Sequence, residues 1–196
     1  MRRVLLILLC STVLAACVTT RRAPAPPLGA AVGWDQRVAD LQGLGSWRLD
    51  GRAAVAAGTQ GWQASLNWRQ SGDDAEVHLS GPFGVGSVVL KRTPDGLSLN
   101  GAPPSDAVVS QLQERLGVEL PIDHLRFWLL GVPDPGAAFD LKRNDQDRAS
   151  QLTQDDWNID YDRYMSVNGD LLPALLVLSR EGVRVRIVVD RWEPQR

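Results

Sequence analysis

The 196-residue chain is short of the residues that usually carry catalysis or covalent cross-links: it has two cysteines, two histidines and two methionines. Both cysteines, Cys10 and Cys17, lie near the N-terminus, so nothing downstream of them can form a disulfide. His78 and His124 are isolated from each other in sequence and from any free thiol, which argues against a metal centre of converging imidazole or thiolate ligands. They read as surface or capping residues. No Gly-x-Ser-x-Gly elbow occurs, and Gly84-Val85-Gly86-Ser87 lacks the second flanking glycine. Gly81, Gly84 and Gly86 fall between two predicted strands and not before a helix, which excludes a phosphate loop. Asp73, Asp74, Asp145, Asp155 and Asp156 sit in predicted turns, where local hydrogen bonding accounts for them. Neither an enzyme nor a cofactor-binding protein is expected from this inventory.

Long apolar runs are also missing. A spanning helix needs about 18 or more consecutive apolar residues, whereas the run Val4–Leu14 is interrupted by Ser11 and Thr12 and is followed within a few residues by Arg21 and Arg22. What stands there is a leader: Arg2 and Arg3, an apolar stretch, then the small residues Ala15 and Ala16 before Cys17. The segment Leu14-Ala15-Ala16-Cys17 resembles the lipobox of bacterial lipoproteins. Residues 1–16 are therefore expected to be a removed signal peptide, and Cys17 the site of lipid attachment at the new N-terminus. Residues 17–33, with Pro24, Pro26 and Pro27 and no periodicity, read as a tether that keeps residues 34–196, a single domain, within ~50 Å of the membrane.

Losing Arg2 and Arg3 leaves 19 basic and 23 acidic side chains, a formal charge of −4. A mildly acidic protein is a poor partner for nucleic acid. Aromatic usage is skewed, with seven tryptophans (Trp34, Trp47, Trp62, Trp68, Trp128, Trp157 and Trp192) against three phenylalanines. Tryptophan suits cores and surfaces that are apolar on one side and wet on the other.

Periodicity sets the expected elements. Trp34, Val38 and Leu41 have helical spacing, after which strict alternation begins at Trp47 and predicts antiparallel strands through Val55, across Trp62–Arg69, over Ala75–Leu79, and again at Val88–Arg92 and Leu97–Asn100. Ser105 or Asp106 can cap a helix with an apolar face of Val108, Leu112 and Leu116, ended by Gly117. A second short helix is expected from Asp123 to Leu130, ended by Gly131. Beyond a polar connection around Asp140–Asp147, strands return at Ala149–Gln154, Trp157–Tyr161, Ala174–Ser179 and Val183–Trp192. This order fits either one strongly curved antiparallel sheet with helices over one face or a plain α+β domain.

Ser80-Gly81-Pro82-Phe83-Gly84-Val85-Gly86 places Phe83 and Val85 among glycines and a proline. Phe83 either folds back onto the core or forms an exposed apolar prong, a feature that marks membrane or partner contact.

Four features together resemble the LolB family of outer-membrane lipoprotein receptors. They are Cys17 in its lipobox, the strand ending Leu66-Asn67-Trp68-Arg69-Gln70, the turn Gly81-Pro82-Phe83-Gly84, and the segment Leu120-Pro121-Ile122-Asp123-His124-Leu125-Arg126-Phe127-Trp128-Leu129-Leu130-Gly131-Val132-Pro133. The resemblance implies a mainly β fold: an incomplete antiparallel barrel with an apolar interior, covered by short helices. It implies a monomeric protein at the periplasmic face of the outer membrane that accepts acylated lipoproteins from a periplasmic carrier resembling LolA and inserts them among outer-membrane phospholipids. It also implies that Gly81, Pro82, Phe83 and Gly84 form a loop entering the membrane; the family commonly has leucine where this chain has Phe83. On that reading Trp62, Leu66, Trp68, Val77 and Leu79, with Leu125, Trp128 and Leu129, line or cover an acyl-chain cavity. The alternative for each is ordinary core packing, since a cavity and a core use the same side chains. Two competing functions are an envelope assembly lipoprotein that binds protein partners without a lipid cavity, and an anchored lipid hydrolase. The missing nucleophile and base argue against the second.

Overall fold

The computed structural model describes residues 33–81, 86–117 and 119–195, and only the backbone of Arg115 and Leu116. The leader, Cys17 and the tether up to residue 32 lie outside this range, as do Pro82, Phe83 and Gly84. The chain runs α1 (Trp34–Gln42), β1 (Ser46–Ala57), β2 (Gln60–Ser71), β3 (Asp74–Ser80), β4 (Val88–Thr93), β5 (Gly96–Leu99), α2 (Asp106–Leu116), α3 (Ile122–Trp128), β6 (Phe139–Arg143), β7 (Ala149–Gln154), β8 (Trp157–Val167), β9 (Asp170–Arg180) and β10 (Val183–Gln195).

These strands form one antiparallel sheet in the order β5-β4-β3-β2-β1-β10-β9-β8-β7-β6. Each half is a meander of hairpins, and the halves join where the first strand pairs with the last. β5 and β6 remain as edges, so the barrel is incomplete. Alternation drives this architecture. In β1 the buried positions are Trp47, Leu49, Gly51, Ala53 and Val55, while Arg48, Arg52, Ala54 and Ala56 are exposed. A sheet with one apolar face must cover it, and the helices do so: α2 contributes the buried Val108 and Leu112, and α3 contributes Ile122, Leu125, Phe127 and Trp128. α1 is fastened by the buried Arg37, whose guanidinium donates to the Leu171 carbonyl, and by Gln42, which donates to the Pro133 carbonyl at 2.9 Å.

The junction of the halves depends on one glycine. The β1–β10 register slips between Asp50 and Gly51, and a Cβ on Gly51 would stand 2.3 Å from the Val188 carbonyl oxygen. Two ion pairs flank this bulge: Arg52 to Asp190 at 2.8 Å and Arg191 to Asp50, the latter holding the Asp50 carboxyl below its usual range together with Asn67. Gly51→Ala is expected to destabilise the fold by about 1–3 kcal/mol, as overpacking does. The check is the urea unfolding midpoint followed by tryptophan fluorescence.

The structure differs from sequence expectation in three places. Phe139–Arg143 forms β6, where a polar connection was expected. As an edge strand it has one neighbour; Leu141 opposite Leu152 is its one half-buried residue, so no alternation could show. β8 and β9 extend to Val167 and from Asp170, because register shifts at Arg163 break the period and an Asn168-Gly169 turn with positive φ at both residues joins them. α3 ends at Trp128, earlier than Leu130. α2 matches expectation: the Ser105 hydroxyl accepts from Val108 N–H at 3.3 Å and Gly117 is left-handed at φ 70°.

Candidate functional site: the covered inner face

Leu66 and Trp68 on β2 stand directly opposite Leu79 and Val77 on β3, giving a block of four side chains on the inner face. Each is 3–5 % exposed. Trp62, opposite Val55, lies further along the same face and is half-buried. Leu125 and Trp128 from α3, and Leu129 directly after it, join the same cluster and are buried completely or nearly so. Seven of these eight belong to one buried apolar cluster, and Trp62 packs against it. Gly81 is half-buried at the end of β3.

The cluster is larger than those eight. Trp47 stacks on Trp68 with ring centres 5.9 Å apart and meets Trp192 edge-on at 5.2 Å, while Trp128 and Trp157 are 6.4 Å apart. The C-terminal meander contributes apolar side chains as well: Ile159, Leu176, Leu178, Val185 and Ile187 are buried. Their alternation was visible in sequence, but no local signal said that these strands share a face with β2 and β3.

Polar groups placed within this cluster decide which cover is rigid. Gln154, 1 % exposed, accepts from the Trp128 indole N–H at 2.8 Å and from Asp134 N–H at 2.9 Å, and donates to the carbonyls of Asp134 and Ala137 at 2.8 and 2.9 Å. Tyr161, deeply buried so that its hydroxyl stays protonated, donates to the Trp128 carbonyl at 3.0 Å. Arg126 reaches Asp73 in the β2–β3 turn at 2.6 Å, and Arg92 on β4 pairs with Asp123 at 3.0 Å. His124 bonds Asp134 at 2.7 Å and stacks on Trp128 at 5.4 Å, so it clasps α3 and does not cap it. Gln154→Met is expected to cost on the order of 3 kcal/mol, since four buried backbone and indole groups lose their partner. Thermal unfolding of the variant against the wild type measures it.

α2 is held differently. Among the described residues none of its side chains makes a hydrogen bond or ion pair to the sheet; only Val108 and Leu112 are buried. An open groove of about 790 Å³ separates Ser110, Gln113, Glu114 and Gly117 from the tips of the β1–β2 and β9–β10 hairpins at Ala57–Gln60 and Gly182–Val183. At its closest, a Cβ on Gly117 would be 3.4 Å from the Ala57 Cβ. Thus α3 is riveted to the sheet by polar bonds, whereas the described side chains of α2 that are buried, Val108 and Leu112, are apolar.

No group of three or more His, Cys, Asp or Glu side chains among the described residues could hold a metal, and no helix among them is long and apolar enough to cross a membrane.

Comparison with known proteins gives a consistent result. The family described as "Outer membrane lipoprotein LolB" matches residues 45–192. A protein of that name from Nitrosococcus oceani is 33% identical over 196 residues, covering 97% of both chains. One from Pseudomonas aeruginosa is 32% identical over 171 residues, covering 85% of this chain and 83% of that one. Among solved structures, a LolA superfamily protein from Nitrosomonas europaea is similar with a TM-score of 0.54 at 10% identity, over 85% of this chain and 95% of that one. That likeness concerns the fold.

Proposed function

Because the chain belongs to the outer membrane lipoprotein LolB family, we propose that it accepts acylated lipoproteins from a periplasmic carrier and places them in the outer membrane. It is an outer-membrane lipoprotein with a trafficking role. On this reading residues 1–16 are removed, Cys17 carries the lipid, the tether ends at residue 33, and residues 34–196 act as a monomer without catalysis or cofactor.

The observation that supports the reading best is the contrast between two covers over one apolar face: a riveted α3 and an α2 whose described side chains make no polar bond to the sheet. Burial of each methylene contributes ~0.8 kcal/mol, so three acyl chains of about fifteen carbons represent on the order of 35 kcal/mol of gross hydrophobic free energy. Such chains cannot cross water unshielded. When α2 lifts, the face bearing Trp62, Leu66, Trp68, Val77 and Leu79 offers them shelter, and α3, with Leu125, Trp128 and Leu129, forms the fixed wall. Transfer then runs downhill if the face holds acyl chains more tightly than the carrier does, and the bilayer more tightly still.

A fluorescent fatty-acyl probe tests this against the assembly-lipoprotein alternative. The probe is expected to bind and to be displaced by acylated lipoprotein but not by the same lipoprotein without its acyl chains. Absence of probe binding, or equal displacement by both forms, would refute acyl binding.

A further inference from the structure

The outer face of the sheet holds a hollow that the transfer reading leaves unused. Strand register sets Ser80, Ser65, Arg52 and Val188 side by side across β3, β2, β1 and β10. Two residues along, Gln63, Ala54 and Arg186 form the next row. Ala54 is too small to fill its place among these longer neighbours, and the result is a concavity of about 490 Å³ with Gly81 at one end. Asp190, bonded twice to Arg52 at 2.8 and 3.1 Å, is the acid paired with it. Among the described residues Arg186 has neither an ion pair nor a hydrogen bond, and the side chains of Gln63, Ser65 and Ser80 have no partner either. A guanidinium, an amide and two hydroxyls therefore converge on one depression with their donors unused, on a mature chain whose overall charge is −4.

We propose that this hollow binds the phosphate of a membrane phospholipid headgroup. Arginine suits a phosphodiester because its planar fork offers paired N–H groups, and serine and glutamine can complete the oxygen shell. Two sources of anion differ here. The diacylglyceryl group on a client's cysteine contains no phosphate, so the ligand belongs to the target bilayer and not to the cargo. The sequence supports the same source: Gly81, at the end of the hollow, begins the Gly81-Pro82-Phe83-Gly84 segment to which the membrane-contact role is assigned. An apolar side chain lodged 5–10 Å into the headgroup boundary leaves its immediate flank at phosphate level. The inference rests on the membrane-contact role of that loop, and the hollow adds a polar grip beside its apolar one.

The test uses the mature chain carrying Cys17→Ser, so that the lipid anchor does not dominate partitioning, with vesicles of phosphatidylethanolamine and phosphatidylglycerol. Binding by sedimentation is expected to weaken with salt and to fall about tenfold or more in Arg186→Glu, as reversal of one basic charge at a membrane surface implies. Arg186→Lys is expected to retain most of it. Lys142→Glu, the same charge change on β6, four strands away from β10, is expected to have little effect. On vesicles of phosphate-free galactolipid, wild type and Arg186→Glu should bind alike. Circular dichroism confirms that the variants are folded. Unchanged binding by Arg186→Glu while Phe83→Glu loses insertion would overturn the headgroup site and leave the loop reading intact. Competition by inorganic phosphate at low millimolar concentration, or loss of receipt from the carrier with vesicle binding unaltered, would overturn it in favour of a free-anion site or a protein-docking surface.

Discussion

Phe83→Glu is expected to stop delivery of lipoprotein into liposomes while leaving receipt from the carrier nearly intact. Insertion of a phenylalanine side chain among acyl chains contributes ~1.5–3 kcal/mol, and a carboxylate forced into the same place costs at least as much again. Together these amount to roughly a thousandfold in membrane insertion. Receipt depends on the inner face and α2, on which Phe83 has no bearing in the proposed scheme. The variant should therefore accumulate as a complex with its client, detectable by co-purification, with the lipoprotein absent from the vesicle pellet. Delivery at the wild-type rate would remove the assigned role of the loop, and loss of receipt as well would mean that Phe83 belongs to the core.

The second large effect concerns α2. Because the Ala57 Cβ and a Cβ placed on Gly117 are 3.4 Å apart, the pair Ala57→Cys and Gly117→Cys is close to disulfide geometry, whose Cβ separation is about 3.5–4.5 Å. Gly117 has φ 70°, so a cysteine there adds a strain on the order of 1 kcal/mol. Closing the intervening loop should restrict the unfolded chain by ~4 kcal/mol, enough to outweigh that strain. The oxidised variant should thus unfold at higher temperature than wild type yet take up neither fluorescent acyl probe nor lipoprotein. Dithiothreitol should restore both. A stabilised, oxidised protein that still accepts its client would mean that acyl chains reach the inner face without movement of α2, and the proposed lid would fall with it. The combination of higher stability and lost activity separates locking from misfolding.

Both experiments bear on the difference between a core and a cavity, which the side chains alone do not express. Leu66, Trp68, Val77 and Leu79 alternate with polar residues along their strands in the way that any half-buried sheet requires, and on that evidence alone they are as well suited to packing as to lipid. The described structure closes them over, and it distinguishes the covers by their fasteners. Gln154 is the clearest instance of information absent from the sequence. It terminates a strand of mixed composition, yet its amide satisfies an indole and three backbone groups drawn from the α3–β6 connection and α3 itself. Nothing in a single sequence marks one glutamine among several as the rivet.

The alternation that builds two meanders and the caps at Ser105 and Gly117 were legible in order along the chain, because each depends on neighbours within a few positions. Edge strand β6 was not legible, since a strand with one partner and little burial has no period to display. The pairing of β1 with β10 across the length of the domain, the glycine at position 51 that lets their backbones approach, the hollow formed around Ala54 and the contrast between a riveted α3 and a loosely held α2 were decided by tertiary structure alone. Local preference sets what a segment can become; which distant segment fills its hydrogen bonds and covers its apolar face is settled only when the whole sheet forms.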